Sequence, residues 1–338
     1  MYRLLRPLFF FLSPEAAHHW VLSVLKWVPA CFFPRIGRQP LKLLGLEFDN
    51  PIGLAAGLDK NGDHIDGLAK LGFGFIEVGS VTPRAQPGNA KPRLFRLKNS
   101  QALINRMGFN NKGVDYLVKR LQVTKYRGVI GVNIGKNLDT PVEKAVDDYL
   151  IVLRKVYEHA SYLVINVSSP NTPNLRELQQ ASQLGQLLSR LKDEQKILAE
   201  KHQKYTPMLV KISPDESEEN IEAMAQVILD NGIDGVIATN TSNQRHWVEG
   251  EEHASETGGL SGAPIGALST SVISKLRQAL GDELPIIGVG GIHDEKSAQE
   301  KFSAGANLIQ VYTGLIYEGP GLLKAILAST LSRLRPSA

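Results

Sequence analysis

Between Asn166 and Asn174 the chain reads Asn-Val-Ser-Ser-Pro-Asn-Thr-Pro-Asn, directly after the apolar run Leu163 to Val167. Pro170 and Pro173 fix their own φ and bias Ser169 and Thr172 toward extended backbone, so the polar groups here are held in place. Fixed amides and hydroxyls can read the donor and acceptor edges of a small molecule. A chemically idle Asn/Ser/Pro turn has the same composition, but the pattern recurs along the chain. Other apolar runs end in Ala56-Gly57-Leu58-Asp59-Lys60, Gly79-Ser80, Asn133-Ile134-Gly135-Lys136, Thr239-Asn240-Thr241, Gly290-Gly291 and Tyr312-Thr313-Gly314, and a further run carries Lys211. Strand interiors are apolar, so polar residues repeated at one end of many strands predict a lined site.

The residue types narrow the ligand. Gly262, Gly290 and Gly291, with Tyr312-Thr313-Gly314, let backbone N–H groups approach one phosphate. Asn133, Asn166 and Thr239 can read a heterocycle's edge, and Lys211 can hold negative charge on it. No acidic cluster or spaced histidines suggest a metal. Flavin mononucleotide (FMN) satisfies this set, because its ring needs edge hydrogen bonds and a cation where charge develops on reduction.

These strand ends must be brought together by the elements carrying them. Eight apolar strand candidates recur: Ile52–Gly57, Phe75–Ser80, Val129–Gly135, Leu163–Val167, Met208–Ile212, Gly235–Asn240, Pro285–Gly291 and Leu308–Gly314. Between them lie helical patterns, clearest at Glu143–His159, Glu177–His202, Ser217–Asp230 and Gly266–Leu280, with shorter ones near 62–71, 111–121, 294–303 and 320–334. This alternation predicts an α/β fold, a (β/α)8 TIM barrel, over residues 43–338. An open doubly wound sheet is the competitor, weakened because no Gly-x-Gly-x-x-Gly follows the first strand. Leu43–Phe48 and Ile52–Gly57 read as a small hairpin bracketing Asp49-Asn50-Pro51.

Residues 1–42 have a different character. The chain carries +4 overall, yet this segment holds six basic residues (Arg3, Arg6, Lys26, Arg35, Arg38, Lys42) against Glu15, a balance of +5, leaving −1 for the rest. Tyr2, Phe9, Phe10, Phe11, Trp20, Trp27, Phe32 and Phe33 also fall here. Leu4, Leu5, Leu8, Phe9 and Leu12, then Trp20, Val21, Val24, Leu25 and Val28 follow helical spacing, with Ser13-Pro14-Glu15 as a cap and first turn. Two short amphipathic helices are expected, lying on a membrane or packed on the body of the protein or a partner. No apolar run reaches the ~18 residues of a bilayer span, and no secretory leader is evident. The single cysteine, Cys31, excludes an intrachain disulfide framework and a cysteine-built metal site.

Ala-Ala-Gly-Leu-Asp-Lys (55–60), Ile-Asn-Arg-Met-Gly-Phe-Asn-Asn (104–111), Asn-Val-Ser-Ser-Pro-Asn-Thr-Pro (166–173) and Thr-Gly-Gly-Leu-Ser-Gly (257–262) together resemble the class 2, quinone-dependent dihydroorotate dehydrogenases, and the resemblance covers essentially the whole chain. It implies an FMN enzyme of pyrimidine (UMP) synthesis that oxidises (S)-dihydroorotate and passes electrons to a membrane quinone, ubiquinone or menaquinone. It implies Ser169 as the base taking the C5 proton while the C6 hydride goes to flavin. Lys60, Asn105, Asn166, Asn171 and Asn240 resemble the orotate-binding set, with Arg106, Met107, Gly108, Phe109 and Thr241 in the same pocket. Ala56, Gly57, Leu58, Asp59, Lys60, Ser80, Asn133, Asn166, Lys211, Thr239, Gly262, Gly291, Tyr312 and Thr313 resemble the FMN set. His18, Arg96 and Tyr312 resemble the lining of a quinone tunnel entered through the extension; taken alone, His18 reads more simply as a surface or capping residue. The base in soluble members of the wider family is a cysteine, and Cys31 lies far from the matching loop.

A serine needs activation, and no histidine or carboxylate adjoins Ser169 in sequence, so its proton is expected to leave through water or Thr172. The resemblance further implies a peripheral protein on the cytoplasmic face of the inner (cell) membrane, and a monomer. A flavin barrel acting on RNA, as in dihydrouridine synthases, is an alternative that the near-neutral barrel disfavours, and nucleic acid is not expected as a partner. A non-enzymatic phosphate-binding barrel would need neither the lysines nor the Ser169 loop.

Overall fold

The computed structural model describes residues 2–333. The bounds of the expected units at Met1 and at 334–338 lie outside the described residues. Helices α1 (Tyr2–Phe11) and α2 (Pro14–Leu25) come first, then an antiparallel hairpin of β1 (Leu41–Leu43) and β2 (Leu46–Phe48). The hairpin turns at Leu44 and Gly45, both in the left-handed region with φ 57° and 71°, rather than at 49–51. The expected pairing of Leu43–Phe48 with Ile52–Gly57 is therefore wrong. Ile52 onward is already the first barrel strand, and Asn50 Oδ1 accepts from Ile52 N–H at 3.0 Å to set its start.

In chain order there follow β3 (Ile52–Leu54), α3 (Ile65–Ala69), β4 (Phe75–Val81), β5 (Leu94–Leu97), β6 (Ala102–Asn105), α4 (Val114–Val123), β7 (Val129–Ile134), α5 (Ala145–Val156), β8 (Tyr162–Asn166) and α6 (Ala181–His202). Then come β9 (Met208–Ile212), α7 (Glu218–Asp230), β10 (Gly235–Ala238), β11 (Gly259–Gly262), α8 (Gly266–Leu280), β12 (Ile286–Val289), α9 (Glu295–Ser303), β13 (Leu308–Val311), α10 (Thr313–Glu318) and α11 (Gly321–Arg333). Strands β3, β4, β7, β8, β9, β10, β12 and β13 close into a parallel barrel, each of the eight coming from one predicted run. The helical pattern near 320–334 resolves into α11, with residue 334 outside the described residues; Thr313 and Gly314, read as a strand end, open α10.

Successive strand residues face opposite ways, and this splits the core in two. Phe75, Val129, Tyr162, Val164, Leu209, Ile237, Ile287 and Leu308 fill the barrel's interior, with Phe48 edge-on to Phe75 at 5.3 Å. Ile76, Val78, Val132, Leu163, Ile165, Val210 and Ile212 pack outward under the helices. A Cβ on Gly131 would sit 2.1 Å from the Tyr162 ring, so the missing side chain makes room for the aromatic. Toward the strands' C-terminal ends the inward face turns polar: Glu77, Asn133, Asn166, Lys211, Thr239 and Gln310 are all buried.

Two excursions build what the sequence reading lacked. β5 and β6, inserted after β4, pair antiparallel with β11 as a separate three-stranded sheet. Helix α2 packs on β5 and α3, and its Leu22 and Leu25 join the main core. The opposite surface of the extension stays open: Leu4, Leu8 and Phe11, one face of α1, are 81%, 62% and 86% exposed, and Trp27 is 77% exposed. Among the described residues no helix is long and apolar enough to cross a membrane.

Candidate active site

A cleft opens at the strands' C-terminal ends. Of the residues singled out from sequence, it brings together Ala56, Gly57, Lys60, Ser80, Asn105, Met107, Gly108, Phe109, Asn166, Ser169, Asn171, Lys211, Thr239, Asn240, Thr241, Gly262, Gly291, Tyr312 and Thr313. These come from seven of the barrel strands or their loops and from the excursion sheet.

The loop after β8 is set by Asn166. Its Oδ1 accepts from Ser168 N–H at 3.2 Å and from Asn240 Nδ2 at 3.4 Å, while Asn240 Nδ2 also donates to Ser168 Oγ at 3.0 Å. Ser169 Oγ accepts from Asn171 N–H at 3.3 Å, a donor that favours negative charge on the oxygen. Asn171 Nδ2 reaches Asn105 Oδ1 at 3.2 Å, joining the Ser169 loop to the excursion sheet. Across from these, Lys60 Nζ donates to Gly57 C=O at 2.7 Å. Burial, then the Arg93 charge, push the Lys60 ammonium down to about 8.

Deeper, Lys211 is buried, and desolvation lowers its pKa against the opposing pull of Glu77. On the far side Gly262 and Gly291 have φ of 105° and 77°. A Cβ on Gly291 would meet the Gly266 backbone at 2.2 Å, and Ser261 Oγ and Thr313 Oγ1 are 2.8 Å apart beside this cradle. Bare backbone with hydroxyls at its rim suits an anionic, phosphate-like group.

Other expected residues stand back from the cleft wall. Leu58 is in the core. The Asp59 carboxylate accepts from the N–H groups of Asp63 at 2.9 Å and His64 at 2.7 Å, so it shapes the loop after β3. Asn133 lies behind Ser80 and Asn166, accepting from both. Arg106 turns outward to Glu256 at 2.6 Å and over the Phe95 ring at 4.6 Å. Thr172 is buried behind the Ser169 loop, its Oγ1 without a hydrogen-bond partner among the described residues. Lys136 bends back to the Thr140 carbonyl at 2.8 Å.

His18 faces a second, smaller cavity that shares Lys60, Asn105, Met107, Ser261 and Tyr312 with the cleft and adds Glu15, Leu94 and Leu103. Burial and the Lys60 charge push its imidazole down to about 3, so it is neutral near pH 7. Tyr312, pushed up to about 12 by burial, stands between the two spaces. Arg96 lies farther out: it donates to Leu12 C=O at 2.7 Å and stacks on Phe10 at 4.5 Å, capping the C-terminal end of α1.

Glu77 and Gln310 were missed by the sequence reading. The available signal was a charged or amide side chain set among apolar neighbours within each of two strands, on the inward face by alternation from Phe75 and Leu308.

The fold and the cleft define a (β/α)8 barrel with a polar, glycine-cradled cleft at the C-terminal ends of its strands. The profile of the dihydroorotate dehydrogenase family matches residues 40–334. The chain is 56% identical to a dihydroorotate dehydrogenase (quinone) of Nitrosospira multiformis, covering 96% of this chain and 94% of that protein. It is 55% identical to one from Azotobacter vinelandii, covering 96% and 95%. The crystal structure of DHODH from Eimeria tenella in complex with ferulenol superposes with a TM-score of 0.89 at 38% identity, covering 95% of this chain and 91% of that one. The chain belongs to the dihydroorotate dehydrogenase family, a flavin-using family.

Proposed function

We propose that this chain, a quinone-dependent dihydroorotate dehydrogenase of pyrimidine biosynthesis, oxidises (S)-dihydroorotate to orotate in the cleft with FMN as its flavin. The carrying observation is the convergence of Ser169, Lys60, Asn105, Asn171 and Asn240 on one cleft whose other end is the Gly262 and Gly291 cradle. The fit to FMN rests on this chain's own groups: bare backbone for the phosphate, Ser80, Asn166, Lys211 and Thr239 for the ring edge, and the buried, unpartnered Gln310 Oε1 beneath. When bound, FMN supplies a two-electron acceptor for the hydride from C6 and a donor to the quinone.

The residues do the rest. Lys60 takes the substrate carboxylate, and Asn105, Asn166, Asn171 and Asn240 pair with its amide edges, fixing the ring. Ser169 removes the C5 proton, and the C5–C6 double bond forms as the hydride leaves C6. The donor from Asn171 N–H stabilises negative charge on Ser169 Oγ as its own proton leaves through water or the Thr172 hydroxyl, which is buried and has no hydrogen-bond partner among the described residues. The cavity shared by His18, Lys60 and Tyr312 is the quinone's approach from the extension. Residues 1–42 act as the membrane-seating and quinone-entry unit of a monomer on the cytoplasmic face, supported by the exposed Leu4, Leu8, Phe11 and Trp27.

Anaerobic mixing with dihydroorotate tests the reaction: absorbance near ~450 nm bleaches rapidly in the wild type and about 10²- to 10⁴-fold more slowly in Ser169→Ala. A yellow protein that keeps its colour with dihydroorotate would overturn the substrate, and one that binds no FMN would overturn the cofactor.

A further inference from the structure

Glu77, on β4, has no exposed surface and lies below the cleft floor. Its Oε1 accepts from Asn133 Nδ2 at 2.9 Å, and its Oε2 accepts from Gln310 Nε2 at 2.6 Å and Tyr162 OH at 3.1 Å. Three donors thus converge on a group that, as a carboxylate, only accepts.

The consequence is directional, because a side-chain amide has one accepting and one donating corner. With its Nδ2 on Glu77, Asn133 must present Oδ1 upward, where it accepts from Ser80 Oγ and from Asn166 Nδ2 at 3.0 Å. Asn166, its own NH₂ spent downward, must present Oδ1 to Ser168 and Asn240. Gln310, with Nε2 on Glu77, has only Oε1 left, buried at the cleft floor without a partner among the described residues.

We propose that Glu77 is a positioning residue that fixes the donor and acceptor polarity of the cofactor and substrate groups above it, running through Asn133 to Asn166 and Asn240 on one branch and ending at Gln310 on the other. This rests on the reading of the cleft as an FMN site. A reversed amide anywhere along the chain would place two donors or two acceptors face to face, a buried mismatch in a site with little water to repair it. The acceptor-only root removes that choice.

Glu77→Gln keeps volume and shape but brings an NH₂ group where only acceptors serve. FMN added to flavin-stripped protein, followed by quenching of flavin fluorescence, is expected to bind Glu77→Gln at least tenfold more weakly than the wild type. The exchange Glu77→Gln with Gln310→Glu keeps one carboxylate and one amide in the same pair, so it is expected to recover most of that loss. Wild-type affinity in Glu77→Gln, or an exchange variant no better than Glu77→Gln in affinity or in yield of folded protein, would overturn the proposal. A wild type that binds no FMN would remove the reading of the site beneath it. A wild type that binds FMN beside an unchanged Glu77→Gln removes the role of Glu77 alone.

Discussion

Glu15 on α2 and Arg93 ahead of β5 are bound side by side, Arg93 donating to the two carboxylate oxygens at 2.7 and 3.3 Å. Both are buried, and Arg93 also donates to the carbonyls of Pro87 at 2.7 Å and Asn89 at 2.9 Å. Asn89 in turn holds the Arg106 carbonyl at 2.9 Å, next to Met107, Gly108 and Phe109 in the cleft. The extension is therefore tied to the substrate loop through the Glu15–Arg93 pair, with Lys91 Nζ also 3.4 Å from Glu15 Oε1.

Breaking that pair from one side should be costly. Burial raises the Glu15 carboxyl, but the hydrogen bond and charge of Arg93, helped by Lys91, outweigh it and hold it below its ordinary value. A depressed carboxylate contributes stability above its unfolded pKa and loses it as pH falls through the folded one. Arg93→Ala is expected to lose about 3 kcal/mol near pH 7. In Glu15→Gln the deficit against the wild type should shrink as pH falls below about 4. Thermal unfolding of the three proteins across pH checks both.

Lys60 sets a limit in the alkaline direction. Burial pushes its ammonium down to about 8, so on this basis it is charged and meets the substrate's carboxylate below that pH and loses the charge above it. Orotate affinity, read from the flavin spectrum of the holoenzyme, should fall from pH 8 to 10 by up to about tenfold per unit. Lys60→Met should bind weakly and lose that dependence.

Ser169 and Thr172 separate chemistry from binding. Ser169→Ala should slow flavin reduction by about 10²- to 10⁴-fold while orotate affinity changes little. Thr172→Val should slow reduction while substrate binding persists, and removing a partnerless buried hydroxyl should leave stability level or higher. Stopped-flow reduction over a range of substrate concentrations distinguishes rate from binding; unchanged reduction in Thr172→Val would remove it from the relay.

The exposed ridge of α1 can be tested without cutting the chain, which matters because Leu22 and Leu25 of α2 belong to the core. Leu8→Glu with Phe11→Glu places two charges on residues that are 62% and 86% exposed, so folding should be preserved. Sedimentation with anionic vesicles should drop several-fold, and turnover with a vesicle-borne quinone should fall while flavin reduction by dihydroorotate stays at the wild-type rate.

Much of this protein is legible residue by residue. Eight apolar runs alternating with helical patterns announce the barrel because strand and helix periodicities are local properties of the chain. The strand-end motifs announce the cleft because a barrel collects those ends at one face. Short elements were less legible: β5, β6 and β11 are four residues each and mix polar with apolar, and the turn at Leu44 and Gly45 competed with the stronger-looking Asp49-Asn50-Pro51.

Only the tertiary structure could decide which polar residues touch the cleft and which stand behind it. Asp59 and Lys60 are neighbours in one motif, yet Asp59 folds back onto its own loop while Lys60 reaches the cleft. Glu77 and Gln310 are more than two hundred positions apart and meet at 2.6 Å because closing the barrel brings β13 and β4 to either side of β3. The sequence by itself determined the elements and the chemistry available. Closure determined the partners, because hydrogen bonds depend on ångström distances and directions that spacing along the chain does not carry.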